Sequence, residues 1–178
     1  MGSHRAAGLI ALLGLVQPAF AQAPGWQFSP LAGEGDRAAM GCARDATQDA
    51  FVCLVVRCED DFSTGVHVYS SRSGGDAGRW DMTLDREDRS FLAERSDAPY
   101  GARITEGADM LLDRLRHGTF VYLRHSTDET APFAYIDLSG SMKTIAEALY
   151  WCAPRVSPAE QNPVSDVDPQ ISKPGVKP

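Results

Sequence analysis

The chain lacks the short motifs that mark catalytic or cofactor-binding sites. No H-E-x-x-H or H-x-H spacing relates His67, His117 and His125, and neither C-x-x-C nor G-x-S-x-G occurs. The glycines Gly74 and Gly75 are not followed by the lysine of a phosphate-binding loop. We therefore predict a protein that is not an enzyme and uses no metal or cofactor, with its histidines at the surface or at strand edges.

Positive charge is scarce relative to negative charge. Lys and Arg number 17 against 24 Asp and Glu, which gives a formal net charge of −7 at pH 7. An acidic surface argues against nucleic acid or anionic lipid as the main partner. The acidic runs 59–61 and 85–88 lack the D-x-D-x-D-G calcium pattern, so we interpret both as solvated turns.

No apolar run is long enough to cross a bilayer comfortably. The run Gly8–Val16 is a short apolar core that precedes the small-x-small triplet 19–21, and this pattern predicts a Sec-type signal peptide over residues 1–21. The first cysteine is Cys42, which is too distant for a lipid anchor. We expect a periplasmic or secreted protein that does not insert into a membrane after signal cleavage.

Composition divides the remaining chain into three parts. Residues 22–37 form a lead-in, whose Trp26 and Phe28 suit either an edge strand or a loosely ordered N-terminus. Residues 38–155 carry the apolar periodicity of a single domain. That periodicity ends where prolines become scattered among polar residues, which predicts a disordered Pro-rich tail over 156–178.

The apolar, β-branched run Phe51–Cys58 predicts a central, largely buried strand. Successive side chains of a strand point to opposite faces, so Cys53 lies on one face and Cys58 on the other. Leu54 and Val56 share the face of Cys58, which is therefore the core side of the sheet.

An even number of cysteines in an exported chain predicts disulfide bonds. A hairpin between Ala38–Ala43 and the central strand sets Cys42 opposite Cys53, within bonding range. Cys152 lies on the apolar stripe of the last helix, which must pack on the core side that bears Cys58. We therefore predict the pairs Cys42–Cys53 and Cys58–Cys152, since the spacing of the four cysteines does not suit zinc.

The rest of the domain shows further strand and helix patterns. Alternation predicts strands over 65–70, 80–84, 91–95, 119–124 and 133–138, and apolar stripes predict helices over 107–117 and 142–153. Ser141 is positioned to cap the second helix. The predicted fold is α+β, a bent antiparallel sheet or small β-sandwich of six to eight strands with two helices. The C-terminal helix is tied to the core by its disulfide and packs on the face formed by Val52, Leu54 and Val56.

Four residues are predicted to lie together on the outer face of two neighbouring strands. Alternation places Tyr122 and Arg124 on the outer face of one strand, and Tyr135 and Asp137 on that of the next. Tyrosine and arginine are favoured in protein interfaces, so this set is a candidate interaction patch. The alternative is a set of ordinary cross-strand pairs on a solvated sheet.

Several structural motifs resemble those of small periplasmic proteins. The segment 54–58 (L-V-V-R-C) and the segment Phe133-x₄-Leu138-Ser139-Gly140-Ser141, followed by Ala146, Leu149 and Cys152, resemble the type VI secretion-associated TagO/VasI group. The hairpin with C-x₁₀-C spacing and the helix–strand–strand–helix ending are similar to the invasion-associated locus B group. The resemblance implies an exported β-rich domain with envelope or host-contact functions, and it carries over no active-site residue.

These observations predict a non-enzymatic periplasmic binding or accessory protein whose partner is another envelope protein. Two other functions remain open. One is an inhibitor of a basic cell-wall hydrolase such as lysozyme, favoured by the acidic charge, the disulfides and an exposed loop over 139–141. The other is an uncharacterised enzyme, which would need a histidine within hydrogen-bond reach of a carboxylate or hydroxyl in a pocket.

Overall fold

A computed structural model describes residues 23–28, 38–150 and 152 of the chain. The predicted signal peptide over 1–21 and the predicted tail over 156–178 lie outside the described residues, as does most of the predicted lead-in. The predicted domain over 38–155 is described as far as its last helix and Cys152.

The described residues form nine strands and two helices, which confirms the predicted α+β class. In chain order they are β1 (Gly25–Phe28), β2 (Ala38–Cys42), β3 (Val52–Cys58), β4 (Thr64–Ser70), β5 (Gly78–Leu84), β6 (Glu87–Arg95), β7 (Ala102–Ile104), α1 (Ala108–His117), β8 (Phe120–His125), β9 (Ala134–Asp137) and α2 (Ser141–Leu149). The prediction of six to eight strands is wrong. The lead-in forms β1, and β7, with 3 residues, is too short to show an alternating pattern.

All of these strands belong to one antiparallel sheet, in the order β1-β2-β3-β4-β7-β6-β5-β8-β9. The short strand β7 joins the two halves, because it pairs with β4 on one side and with β6 on the other. The two ends of the sheet also approach each other. The N–H of Arg44 donates to the carbonyl of Tyr135 (2.9 Å), and Nε1–H of Trp26 donates to the carbonyl of Asp137 (3.0 Å). The sheet therefore bends until its edges nearly meet, which corresponds to the first of the two predicted architectures.

The main hydrophobic core lies on the inner face of the bend. Trp80 and Phe91 are among its largest fully buried side chains, and both helices contribute to it. Helix α2 contacts β1, β2 and β3, and its Ile145 is buried in the same cluster as Leu54 and Val56. The predicted packing of the C-terminal helix on this face of β3 is confirmed.

The Trp26 indole ring packs so closely on Gly41 that there is no space for a side chain at position 41. Trp26 of β1 is paired with Gly41 of β2, and its indole ring packs against that glycine. A Cβ at position 41 would lie 2.3 Å from an indole carbon, so a larger residue requires the ring to move. In this position the indole N–H of Trp26 donates to the carbonyl of Asp137 on β9.

A second, smaller core lies on the outer face of β2 and β3. Met40, Cys42, Cys53 and Val55 are buried there together with Tyr100, which belongs to the connection between β6 and β7. As a result, β2 is buried along its whole length, on both faces. The β6–β7 connection therefore covers the outer face of β2 and β3, which would otherwise be exposed to solvent.

Both predicted disulfide bonds are formed, and they leave β3 on opposite faces. Cys42 and Cys53 are paired directly in the β2–β3 register, with Cα atoms 4.0 Å apart. Cys58 is bonded to Cys152, 94 residues later, with Cα atoms 5.5 Å apart. The first bond belongs to the outer core, whereas the second ties the segment after α2 to the end of β3.

The start of the second helix differs from its prediction. Helix α1 matches its predicted span to within one residue, but α2 begins at Ser141 and its described span ends at Leu149. Ser141 is the first helical residue and is buried, so it does not act as the predicted cap. Gly140 precedes it with a φ of 87°, a left-handed conformation that glycine adopts without steric cost.

Candidate functional site

The outer faces of β8 and β9 carry the predicted interaction patch. The two strands pair with Tyr122 opposite Tyr135 and Phe120 opposite Asp137. Val121 points inward and is fully buried, so its neighbours along β8 point outward, as the two-residue period of a strand requires.

Three aromatic residues form a continuous surface on this face, which we call the aromatic ledge: Phe120, Tyr122 and Tyr135. The ring centroids of Tyr122 and Tyr135 are 5.0 Å apart, and the Phe120 ring lies 5.4 Å from Tyr122 and 6.0 Å from Tyr135. Tyr122 is nevertheless 39% exposed. Ring pairs at such separations attract by about 0.5–1.5 kcal/mol beyond area burial, so the ledge is ordered while it remains accessible.

Two arginines stack on aromatic rings at the borders of the ledge. The guanidinium of Arg44, in the β2–β3 connection, lies 4.4 Å from the centroid of the Tyr135 ring. That of Arg124 lies 4.4 Å from the centroid of Phe133. Arg124 also donates from Nη1 to two carbonyls of the β8–β9 connection, at 2.7 and 3.3 Å, which holds that connection beside the ledge.

Asp137, the fourth residue of the predicted patch, is engaged by Ser139 rather than by Arg124. Its Oδ1 accepts a hydrogen bond from the N–H of Ser139 at 2.8 Å. Hydrogen bonds from the hydroxyl and the N–H of Ser139, with a smaller contribution from Arg44, lower the pKa of Asp137. Its carboxylate therefore stays charged at neutral pH, next to Phe120.

The edge of β9 is occupied by other parts of the chain. The carbonyls of Tyr135 and Asp137 accept hydrogen bonds from the N–H of Arg44 and from Nε1–H of Trp26. A partner that adds a strand to a sheet needs free backbone groups at the edge. Addition of a strand at β9 would have to displace these bonds, so the accessible surface of this strand is its aromatic face.

The sequence predicts part of this surface. The structure brings Tyr122 and Tyr135 into contact, whereas Arg124 and Asp137 lie at its two ends. The prediction omits Phe120, although the same alternation that selects Tyr122 and Arg124 also selects it. Arg44 carries no such signal, because only the bending of the sheet brings the β2–β3 connection to β9.

His67 is fully buried, which corrects the prediction that the histidines lie at the surface or at strand edges. Its Nε2 lies 2.7 Å from Oε1 of Glu59, and Oε2 of Glu59 accepts a hydrogen bond from Arg57. Burial lowers the pKa of His67, and its hydrogen bond to Glu59 partly offsets this effect. Glu59, predicted to lie in a solvated turn, instead has a side chain only 11% exposed, because it balances the buried Arg57.

His125 is also buried, whereas His117 has a half-exposed side chain on α1 as predicted. Nδ1 of His125 lies 2.9 Å from Oγ1 of Thr127, and Nε2 lies 3.2 Å from the carbonyl of Ala77. A carbonyl only accepts, so Nε2 carries the proton and Nδ1 is the acceptor. The ring packs edge-on against Trp80, with centroids 5.3 Å apart. These contacts hold the β4–β5 and β8–β9 connections together and occupy both ring nitrogens.

Neither the remaining structural features nor comparison with known proteins identifies a family for this chain. Among the described residues, no group of three or more His, Cys, Asp or Glu side chains is arranged to hold a metal ion. No helix in that part of the chain is long and apolar enough to cross a bilayer. Searches of family models, curated proteins and solved structures find no match to this chain. Evidence for function therefore comes from the residues of the site.

Proposed function

We propose that this chain is an exported, non-enzymatic binding protein of the cell envelope that holds another protein on its aromatic ledge. The observation that carries the proposal is the contact cluster of the exposed Tyr122 with the partly buried Phe120 and Tyr135, bordered by Arg44 and Arg124. Tyrosine and arginine supply a large share of the binding energy in protein interfaces. A sheet face of this kind suits another protein surface, since small molecules favour concave sites.

The contacts within the ledge support this use because they limit the entropic cost of binding. Association immobilises side chains at about 0.5–1.5 kcal/mol for each flexible one. The rings of Tyr122 and Tyr135 already constrain each other, and Arg44 already lies on Tyr135. Binding of a partner therefore costs less conformational entropy at these side chains, because they are already constrained in the free protein.

The two disulfides support export to an oxidising compartment, since such bonds are rare in the cytosol. With the predicted signal peptide, they make the periplasm or the extracellular space the proposed location. The proposal agrees with the resemblance of the sequence motifs to the TagO/VasI and invasion-associated locus B groups, and the proposed partner is another envelope protein.

The alternative of an inhibitor of a basic cell-wall hydrolase rests on the net charge of −7. Its proposed contact loop is only partly available, because Ser139 and Gly140 are exposed while Ser141 is buried. A partner trapped on the ledge would separate the two functions by its identity.

Site-specific cross-linking tests the proposal. A photoreactive phenylalanine analogue placed at position 122 or 135 of the exported chain should trap the same partner in the periplasm. Substitution Tyr122→Ala should reduce the adduct formed from position 135 at least tenfold, because the partner loses a central contact.

The matched control is the same analogue at Met142, which is 50% exposed on α2, the helix that packs on the inner face of the sheet. An equal adduct from position 142, or no adduct from either ledge position, would contradict the proposal. A basic cell-wall hydrolase as the trapped protein would establish the inhibitor instead.

A further inference from the structure

A cleft of about 340 Å³ opens where three connections of the bent sheet meet. These are the β2–β3, β4–β5 and β8–β9 connections. The apolar part of its lining includes Phe51, Val52, Trp80, Leu123, Phe133 and Ala134. Concave sites of this volume, mostly apolar and with a few fixed polar groups, are typical ligand-binding sites.

Arg72 and Asp128, two of the charged residues that line the cleft, are paired with each other. Arg72 donates from Nε to Oδ2 of Asp128 (2.8 Å) and from Nη2 to Oγ1 of Thr127 (2.8 Å). The same arginine donates from Nη1 to the carbonyl of Gly75 (2.8 Å). The two ring nitrogens of His125 are occupied by Thr127 and by the carbonyl of Ala77. A charged ligand would have to displace these pairs, whereas an apolar group needs only the free apolar walls.

The cleft adjoins the aromatic ledge. Arg124 and Phe133 line the cleft, and Arg124 lies two residues from Tyr122 on the same strand. On the other side, Ala43 lines the cleft and is followed by Arg44, which stacks on Tyr135. Alternate side chains of an extended segment are about 6.6 Å apart. A segment that lies on the ledge and runs along β8 from Tyr122 towards Arg124 therefore places its next side chain at the mouth of the cleft.

We infer that the cleft receives an apolar side chain, of the size of leucine, methionine or phenylalanine, from the same extended segment of the partner that lies on the ledge. This inference rests on the proposed function. The residue beside that anchor, on the side of the ledge, is acidic, because the exposed guanidinium of Arg44 lies there on the Tyr135 ring. The cleft itself is lined by Asp45 and Asp128, so the anchor carries no negative charge. The anchor fills the cleft and the ledge holds the flanking backbone and side chains.

Binding of small probes to the labelled, folded chain tests the cleft directly. N-acetyl-Asp-Phe-amide should produce saturable NMR shifts at the backbone amides of Val52, Leu123 and Ala134. N-acetyl-Asp-Ala-amide should bind at least fivefold more weakly, because its methyl group leaves the cleft unfilled. Absence of saturable shifts, or shifts spread away from the cleft, would overturn the inference.

Two variants fill the cleft from two of its three connections, at residues that do not belong to the ledge. Ala131→Trp and Ala50→Trp both replace exposed residues of the lining, and each should weaken N-acetyl-Asp-Phe-amide at least tenfold. Ala146→Trp, at an exposed position of α2, is the matched control and should leave binding unchanged. Equal weakening by all three variants would overturn the inference.

The cross-link from position 122 separates this inference from the proposed function. If Ala131→Trp and Ala50→Trp reduce both the probe shifts and the cross-link at least fivefold, the shared segment is supported. If they abolish the probe shifts but leave the cross-link intact, the inference falls and the proposed function stands. If the unmodified chain gives no cross-link at all, the proposed function fails and the inference fails with it.

Discussion

The outer face of the sheet is covered on β2 and β3 and exposed on β8 and β9. In the first region Met40, Val55 and the Cys42–Cys53 bond are buried with Tyr100. In the second region Tyr122 remains 39% exposed beside two other aromatic rings. Both faces bear apolar residues, so composition does not separate them. The difference arises because the β6–β7 connection packs over the first face, whereas no connection within the described residues buries the second. A covered face stabilises the fold, and an uncovered one is available to a partner.

The largest expected effect contrasts the two disulfides. On the chain-entropy account, a bond that closes about 100 residues contributes about 4.7 kcal/mol, and one that closes about 15 residues contributes about 3 kcal/mol. The double variant Cys58→Ala/Cys152→Ala should therefore lower the free energy of unfolding in urea more than Cys42→Ala/Cys53→Ala. The reverse order would show that burial of the Cys42–Cys53 bond in the outer core outweighs its shorter loop.

The next contrast compares one tyrosine from each face. Tyr100 is fully buried and packs edge-on against Tyr69, so Tyr100→Ala should destabilise by about 3–5 kcal/mol, the range for truncating a buried aromatic side chain. Tyr122→Ala, at a partly exposed position, should cost less than Tyr100→Ala, because it loses two ring pairs worth about 0.5–1.5 kcal/mol each but little buried area. Urea unfolding measures both values. Similar losses for the two variants would mean that the ledge is a second outer core and not a free surface.

The covered face should also respond to pH through His67. Burial lowers the pKa of His67 in the folded chain from its ordinary value of 6.5, so the unfolded chain binds this proton first as pH falls. Stability should therefore decrease as pH falls from 7.5 to 5.5, by at most about 1.4 kcal/mol per pH unit for one proton.

Two variants test whether His67 is the source of this pH dependence. His67→Gln retains a donor for Glu59 but does not titrate, so its stability should depend less on pH than that of the unmodified chain. His117→Gln, at a half-exposed position, should leave the pH dependence unchanged. Identical curves for His67→Gln and the unmodified chain would contradict the assignment.

The smallest effect on stability is expected at the border of the ledge. Arg44→Gln removes the cation–π contact with Tyr135, which is worth about 0.5–1 kcal/mol at an exposed site. The same substitution should reduce the cross-link from position 135 more than fivefold, because the partner loses a preordered contact. A cross-link of undiminished yield would remove Arg44 from the proposed interface.

Local pattern was sufficient to predict much of the architecture. Alternation in Phe51–Cys58 assigned Cys53 and Cys58 to opposite faces of β3, and both disulfides follow from that assignment. The local pattern failed to predict the burial of His67, because its position in a strand does not show that other chain segments cover it. It also failed at β7, because three residues do not establish a period. The tyrosines of the ledge were predictable from alternation, but the arginine that completes it comes from a distant hairpin.

The periodic features of this protein follow from its sequence: the α+β class, the β8–β9 pairing and the faces of β3. These depend on interactions between residues that are close along the chain or on a strict two-residue period. Which faces of the sheet are covered and which are exposed depends on the folded arrangement of the whole domain. The curvature of the sheet brings Arg44 to Tyr135, and the path of one connection buries Tyr100. Coverage depends on contacts between segments distant in sequence, and no local pattern encodes these contacts.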